Sequence, residues 1–283
     1  MFKETYLNKN AQKYYPYSIL LNIFIDICVS RYHQPANKRM KEIKKVCDLK
    51  SCFLCRECMP EWLPAVRMHR KDFEVKKGGK IFSEGEPVSG MYFVYRGAIK
   101  VHKRWDTGKE LIVRFAKPGD IIGYLGLGRE NGYPVSATAL ETAIVCFVSM
   151  DFFNATLKVN PLLTIRLMHL FAQELELSQK SSRDLVHMPV KARIAQSFLA
   201  LKGQFGTRDD GFLNINISRQ DIASYSGTTY ETVFKVINEL AGIKAIKILG
   251  KNIRINDDQM LLSIIGKDND MPEGRFDYSA TLI

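Results

Sequence analysis

The chain has 283 residues, 46% of them hydrophobic, and its 41 Lys and Arg against 30 Asp and Glu give a net charge of +11 at pH 7. This length suits roughly two domains with buried cores, and the basic balance favours a polyanionic partner such as nucleic acid. No apolar run approaches the ~18 residues of a membrane span, and the most apolar stretch, residues 18–29, lacks a signal-peptide cleavage site, so we expect a cytoplasmic protein with no membrane partner.

Residues 1–39 differ in composition from the rest of the chain, because they are rich in Tyr and contain no Gly and no clear helix caps. Met40 begins the stretch MKEIKKVCDLKSC, which is typical of a natural protein start. We therefore interpret residues 1–39 as an added N-terminal arm or a mis-assigned start, and we assign no role to Cys28 within them.

Residues 40–72 form a cysteine-rich segment. Cysteines of a cytoplasmic protein are mostly reduced or bound to metal. Four cysteines within twelve residues, as in 47–58, are a strong signal for metal. Thiolates at this spacing can converge on an iron–sulfur cluster, because Cys-x4-Cys-x2-Cys with a distant fourth cysteine is a ferredoxin spacing. A compact zinc site with four thiolate ligands is the direct competitor. The cysteines are Cys47, Cys52, Cys55 and Cys58, followed by Met59-Pro60.

Residues 73–155 alternate apolar and polar side chains between frequent Gly and Pro residues. Short strands at regular spacing with such turns predict a jelly roll or a small barrel, which we interpret as a sensor domain. Cys146 lies in its apolar stretch LETAIVCFV and is either a further metal ligand or a buried core cysteine.

Residues 156–187 are predicted to form a long helix, with the clearest pattern over 157–186. Two apolar stripes run along it, and a helix that is apolar on two faces needs two partners. One partner would be the β domain and the other a second copy of the helix, as in a coiled-coil dimer; a wide core stripe within a monomer is the alternative. The stripes are Leu163, Leu167, Leu170 and Leu177, and Ile165, Met168, Ala172 and Leu175.

Residues 188–260 are predicted to form a winged helix-turn-helix, with 261–283 as a C-terminal tail. Residues 212–217 alternate as a short strand, Ser218 and Asp221 form a capping box, and Ser226-Gly227 breaks the helix that they open. Thr228 is predicted to cap a second helix, and a hairpin with a basic tip around Lys251 follows. The core-facing positions of the second helix are Val233, Val236, Ile237 and Leu240.

The start of this second helix is predicted to contact DNA, since a recognition helix presents its N-terminal residues to the major groove. Glu231 can accept a hydrogen bond from a cytosine amino group, and Lys235 can reach guanine or a phosphate. The alternative is a small helical subdomain with a solvated charged face. The candidate DNA-contact residues are Arg219, Gln220, Thr229, Tyr230, Glu231, Thr232, Phe234, Lys235 and Lys251.

The order of β-roll, long helix and winged helix resembles the Crp/Fnr family of bacterial transcription regulators over about residues 73–258. The resemblance implies an α+β fold with a cyclic-nucleotide-binding-type β-roll (jelly roll), a dimerisation helix and a C-terminal winged helix-turn-helix. It also implies a homodimer on a palindromic operator in double-stranded DNA, with RNA polymerase as a protein partner. The motifs that carry it are Gly78 in KKGGKIFSEGE, Tyr92-Phe93-Val94, Arg96-Gly97, Pro118-Gly119-Asp120, RQDIA at 219–223 and Glu231-Thr232-Val233.

We do not expect cyclic AMP to be the effector of this chain. Members of the family that bind cyclic nucleotides use a Gly-Glu-Leu turn for the ribose and an Arg-Ser pair for the phosphate. Here the turn is Gly123-Tyr124-Leu125 and the pair is Val135-Ser136. A cyclic phosphate in a partly buried site would therefore lack its compensating guanidinium.

Oxygen-sensing Fnr proteins hold a [4Fe–4S] cluster with three N-terminal cysteines and a fourth in the β-roll. Cys52 and Cys58 resemble the second and third of these, and Cys146 falls where the fourth is expected. Cys47 is displaced from the position of the first, and Cys55 is extra, so the ligand set stays open.

The sequence thus predicts a redox- or gas-responsive transcription regulator. The alternatives are a regulator with a zinc site or a small-molecule effector, and an iron–sulfur electron carrier. We predict no enzyme, because the chain shows no nucleophile–base arrangement, phosphate loop or paired carboxylates.

Overall fold

The computed structural model describes residues 40–44, 47–106, 108–128 and 132–266. The predicted arm at 1–39, with Cys28, and the end of the predicted tail, residues 267–283, lie outside the described residues. The start of the predicted tail is instead part of the C-terminal domain, because residues 261–266 belong to a helix whose Leu261 and Ile265 are buried in its core. Within the described part of the chain, no helix is both long and apolar enough to cross a membrane.

Two antiparallel sheets pack into a β-roll. The larger sheet has the strand order β1-β2-β9-β4-β7 and the smaller has the order β3-β8-β5-β6. Because β1 pairs with β2, the roll begins at Met40, within the cysteine-rich segment. The strands are β1 (Met40–Ile43), β2 (Lys71–Val75), β3 (Lys80–Phe82), β4 (Gly90–Arg96), β5 (Ile99–Asp106), β6 (Lys109–Ala116), β7 (Ile121–Ile122), β8 (Ser136–Ala139) and β9 (Ala143–Ser149).

Strand β9 is buried on both faces, and its register decides which face carries Cys146. Val145 and Phe147 belong to the core inside the roll, whereas Cys146 and Val148 belong to a second core outside it. Successive side chains of a strand alternate between faces, so the register of β9 directs Cys146 to the outer face.

The helices that cover this outer face come from both sides of the roll in sequence. Before it lie α1 (Phe53–Glu57), a short 3-10 helix (Pro60–Trp62) and α2 (Leu63–His69), and after it lie α3 (Met150–Val159) and α4 (Pro161–His187). The cysteines of the N-terminal segment share one core with Leu163 and Leu167 of α4. The start of α4 is thereby packed against the cysteine-rich segment.

The long helix begins later than predicted. Residues 157–159 end α3, and the backbone leaves the helical region at Asn160, with φ −122° and ψ 79°. Pro161 is the cause, since a proline disfavours helical backbone at the residue before it and is well tolerated at the first helical position.

The two predicted stripes of α4 differ in burial. Leu163 and Leu167 are buried, whereas Leu177 of the same stripe is exposed. Ile165, Met168 and Leu175 of the other stripe are exposed by 49%, 64% and 61%. The roll thus covers only the start of one stripe, and one chain leaves the other stripe open.

The C-terminal domain is a winged helix-turn-helix. Its β10–β11 hairpin is the wing, and α6 and α7 form the helix-turn-helix. Residues 212–217 do not form the predicted strand: Leu213 and Phe212 make only isolated bridges to Thr207 and Arg254. The elements are α5 (Val190–Phe205), α6 (Arg219–Ser226), α7 (Tyr230–Gly242), β10 (Ile246–Leu249), β11 (Asn252–Ile255) and α8 (Asp258–Gly266).

The capping box of Ser218 and Asp221 is present at the start of α6, as the sequence predicts. The cap of α7 is Thr229 rather than the predicted Thr228. The reason is that Gly227 adopts a left-handed conformation and the Thr228 N–H donates to Ala223 O at 3.0 Å. Thr228 therefore still closes the preceding helix, in the manner of a Schellman motif.

Helix α6 packs directly on the β5–β6 hairpin of the roll. Phe115 meets Tyr225 edge to face at 4.8 Å between ring centroids, and Lys100 pairs with Asp221 at 2.9 Å. The position of the winged helix-turn-helix is therefore fixed in part by the β-roll.

Candidate metal centre and nucleic-acid interface

Four buried cysteines converge where α1 meets the outer face of β9. The Sγ atoms of Cys47, Cys52 and Cys55 all lie within 4.8 Å of one another. Cys52 caps α1, and its sulfur accepts the Cys55 N–H at 3.5 Å, which places both thiols at one helix end. Cys146 reaches Cys47 from β9 and interacts with its sulfur. We name these four residues the thiol centre.

Cys58 takes a different partner. Its thiol donates to Asn160 Oδ1 at 3.4 Å, and the same oxygen accepts the Met59 N–H at 2.9 Å. Asn160 is fully buried and directly precedes α4. This arrangement differs from the one that the resemblance implied, in which Cys52 and Cys58 act together. In the structure the sulfur of Cys55 lies within 4.8 Å of those of Cys47 and Cys52, and Cys58 ties the cysteine-rich segment to the start of α4.

Contacts among the sulfurs of the thiol centre shift their pKa values in opposite directions. Contacts from Cys146, then Cys52 and Cys55, lower the pKa of Cys47 far below its usual range. The contact with Cys47 raises the pKa of Cys52 to about 11 and also raises the pKa of Cys55 and of Cys146. One thiolate is thus stabilised, and deprotonation of the others requires a cation.

The donor set fits a soft metal. Four cysteine sulfurs, all buried, are the ligands preferred by zinc and by iron–sulfur clusters, whereas calcium and magnesium prefer oxygen. Both metal candidates predicted from the sequence are therefore chemically compatible with the thiol centre.

Tyr124 occupies the turn where cyclic-nucleotide-binding relatives have Glu. Its ring packs against Phe171 of α4, with centroids 5.7 Å apart, and its hydroxyl accepts a hydrogen bond from Arg114 at 3.0 Å. Arg114 also pairs with Glu174 at 2.6 Å and with Asp120 at 3.2 Å. The turn thus joins the roll to α4, and the Arg114 guanidinium beside it is engaged by carboxylates.

The predicted DNA-contact residues lie on one surface formed by α6, α7 and the wing. Tyr230, Glu231, Phe234 and Lys235 of α7 are exposed, and their opposite face is buried through the four predicted core positions. A hydrogen bond from its own backbone N–H, together with Thr229, lowers the pKa of Glu231. Glu231 is therefore an ionised acceptor at neutral pH.

A cleft of about 210 Å³ brings together predicted residues from three elements. Arg219 and Gln220 line it from α6, Tyr230 from α7 and Lys251 from the tip of the wing. The Arg219 guanidinium also lies over the Phe234 ring, with Cζ 5.6 Å from the centroid. Phe234 thus helps to hold Arg219 at this surface. Of the remaining predicted residues, Thr229 is exposed and Thr232 is partly buried.

Sequence reasoning did not select Asn238. It is exposed on α7, three and four residues beyond Lys235 and Phe234, which places it on the same face. Its side chain can pair with adenine in the major groove. Asn238 follows Glu231 by seven residues, or about two helical turns, and this spacing could have identified it from the sequence.

A sensor-type β-roll joined by a long helix to a winged helix-turn-helix defines a DNA-binding transcription regulator. The family model for the cyclic nucleotide-binding domain matches residues 72–160, and the model for the Crp-like helix-turn-helix domain matches residues 192–264. The chain belongs to the Crp/Fnr family of transcription regulators.

Several known proteins are similar over most of their length. A transcriptional activator protein, anr, from Pseudomonas aeruginosa is 31% identical over 77% of this chain and 92% of its own. An anaerobic regulatory protein from Pasteurella multocida is 28% identical over 76% of this chain and 81% of its own. The structure of FixK2 from Bradyrhizobium japonicum superposes with a TM-score of 0.64 at 24% identity, over 72% of this chain and 99% of that one.

Proposed function

We propose that this regulator binds DNA as a homodimer and that a metal centre held by Cys47, Cys52, Cys55 and Cys146 controls its affinity. The observation that carries the proposal is the convergence of three thiols from the N-terminal segment with one from the roll. Relatives described as anaerobic regulators support a [4Fe–4S] cluster as the occupant. A zinc ion is the second candidate, because four thiolates also suit zinc.

When bound, an iron–sulfur cluster would supply sensitivity to oxygen or nitric oxide. The protein residues supply the link to the dimerisation helix. Leu163 and Leu167 of α4 lie in the same core as the cysteines, and Asn160 receives hydrogen bonds from Cys58 and Met59. Order in the cysteine-rich segment therefore stabilises the start of α4.

The exposed stripe of α4 supports the homodimer. Ile165, Met168 and Leu175 leave a contiguous apolar line open to solvent in one chain, and a second copy of the helix would cover it. Two recognition helices would then meet successive major grooves of a palindromic operator, about one helical turn apart. RNA polymerase is the expected protein partner of the DNA-bound dimer.

Cyclic AMP is not the effector in this proposal. Tyr124 stands in place of the ribose-binding Glu and packs against Phe171 of α4, and Arg114 is engaged by Glu174 and Asp120. Inside the roll, Tyr133 stacks on Phe82 at 4.2 Å between centroids and bonds to Gly90 through its hydroxyl.

The test is anaerobic purification of the full chain, with iron, sulfide and zinc measured per protein. Iron and sulfide in equal amounts, with a broad visible absorption that air removes, would support the cluster. Operator affinity should fall on exposure to air; the operator is first selected from random duplexes by the anaerobic protein. Stoichiometric zinc that air does not remove would favour the second candidate. A chain free of metal with unchanged DNA affinity in air would overturn the proposed sensor.

A further inference from the structure

A buried ion pair lies beside the thiol centre. Arg70, between α2 and β2, is exposed by 4%, and Asp72 of β2 by 1%. The guanidinium Nη1 lies 3.3 Å from both carboxylate oxygens of Asp72. Asp72 is directly opposite Cys146 in the β2–β9 register. The pair therefore sits against the cysteine that the roll contributes.

The same pair holds the backbone of Cys47 from both sides. The Cys47 N–H donates to Asp72 Oδ2 at 3.2 Å, and Arg70 Nη2 donates to Cys47 O at 3.2 Å. Cys47 lies in no helix or strand, so these two bonds take the place of secondary structure in positioning it.

One nitrogen of the Arg70 guanidinium, Nε, is buried and left without a hydrogen-bond partner among the described residues. Burial acts to lower the pKa of Arg70, but Asp72 and the sulfurs of Cys47 and Cys146 outweigh it and raise the pKa. The guanidinium thus lies within the field of the thiol centre, and a buried donor without an acceptor is costly unless an acceptor arrives.

A purely structural role explains this pair poorly. Buried ion pairs are often no more stable than apolar residues of similar volume, and leaving one N–H unsatisfied adds to the cost. Residues beyond the metal ligands, by contrast, commonly orient the ligands and donate hydrogen bonds to them.

We propose that Arg70 is a positioning residue of the metal centre: with Asp72 it fixes Cys47, and its Nε–H is reserved for anionic sulfur. This inference rests on the proposed function. Four thiolates outweigh the charge of a zinc ion or an oxidised cluster, so the occupied centre is an anion. A fixed guanidinium favours a more negative state of that centre and should raise the reduction potential of a cluster.

The test compares Arg70→Met and Arg70→Lys with the wild-type full chain, reconstituted anaerobically. For a cluster, the readouts are its reduction potential and its half-life in air; for zinc, the readout is affinity in competition with a chelator. We expect Arg70→Met to lose metal affinity by roughly 10–100-fold, or to hold a cluster of lower potential that decays several-fold faster. Arg70→Lys keeps the charge and should retain the potential better than Arg70→Met.

Arg193→Met is the control for the loss of a partly buried guanidinium. Arg193 donates to backbone oxygens at the end of α4 and in the C-terminal domain, such as Met188 O at 2.7 Å and Ser226 O at 2.9 Å, and Arg193→Met should leave metal binding unchanged. Wild-type affinity and potential in Arg70→Met, or an equal loss in the control, would overturn the inference and leave the proposed function standing. If Arg70→Met does not fold, wild-type metal affinity or wild-type cluster half-life in a folded Arg70→Lys would overturn it, because Lys keeps the charge but lacks the fork of N–H donors that reaches both Asp72 and Cys47 O. Failure of the wild-type chain to take up iron or zinc would overturn both proposals.

Discussion

At the scale of single residues, the five described cysteines separate into two groups with different expected roles. Cys55 lies within 4.8 Å of Cys47 and Cys52, whereas Cys58 donates to Asn160. We expect Cys55→Ser to lose bound metal and Cys58→Ser to keep it, because serine can still donate to the amide oxygen. Metal per chain after anaerobic purification is the measurement. Full loss in Cys58→Ser with retention in Cys55→Ser would assign the ligands the other way.

Lys251 and Glu231 should contribute to DNA binding in different ways. Lys251 lies at the exposed tip of the wing, so Lys251→Ala should weaken binding to all duplexes alike and reduce the salt dependence by about one ion. Glu231→Ala should instead relax the preference at one base pair, since a base contact carries sequence information. Binding to operator variants at several salt concentrations distinguishes the two effects.

Lys103→Ala is the control for the loss of one exposed positive charge, since Lys103 is an exposed lysine of strand β5 in the roll. A uniform loss of affinity from Glu231→Ala, with base preference unchanged, would show that Glu231 does not read a base.

At the scale of elements, the turn between α6 and α7 depends on Gly227. Its φ is +61°, and an added Cβ would lie 2.4 Å from Leu185 Cδ2. Gly227→Ala should therefore destabilise the fold by about 1–2 kcal/mol, from the left-handed backbone and the displacement of Leu185. Gly242→Ala, at the end of α7 with open space around it, should be neutral or slightly stabilising. Thermal unfolding of both variants tests this; equal melting temperatures would contradict it.

Local signals predicted the elements best where their causes are local. The capping box of Ser218 and the core-facing positions of α7 are confirmed, since both depend on neighbours within one or two turns. The strand predicted at 212–217 was wrong, because an alternating pattern does not indicate whether a neighbouring strand is free to pair. In the structure Phe212 and Leu213 make only isolated bridges. Pro161 is a local signal for the start of α4, but the apolar periodicity continues across it from residue 157, and the predicted helix followed that periodicity.

At the scale of the whole molecule, the family and its domain order follow from the sequence, but the selection of cysteines does not. Strand β9 is apolar from Ala143 to Val148, so its pattern does not indicate whether Cys146 faces the inside of the roll or the outer helices. Likewise, Cys55 and Cys58 both follow Cys52 at close spacing. The two cysteines differ because Cys58 bonds to Asn160, which lies more than 100 residues away in the chain. The local sequence around Cys58 does not indicate this partner.

The exposed apolar stripe of α4 is the predicted dimer interface, and it can be tested by placing a charge on it. Ile165→Glu places a charge on an apolar line that one chain leaves open, so it should convert a dimer to a monomer with little effect on the stability of each chain. Operator affinity should then fall far more than affinity for a half-site, because a palindrome requires two linked recognition helices. Ser181→Glu, exposed on the opposite side of α4, is the control. Sedimentation measures the oligomeric state, and an Ile165→Glu protein that stays dimeric would place the interface elsewhere.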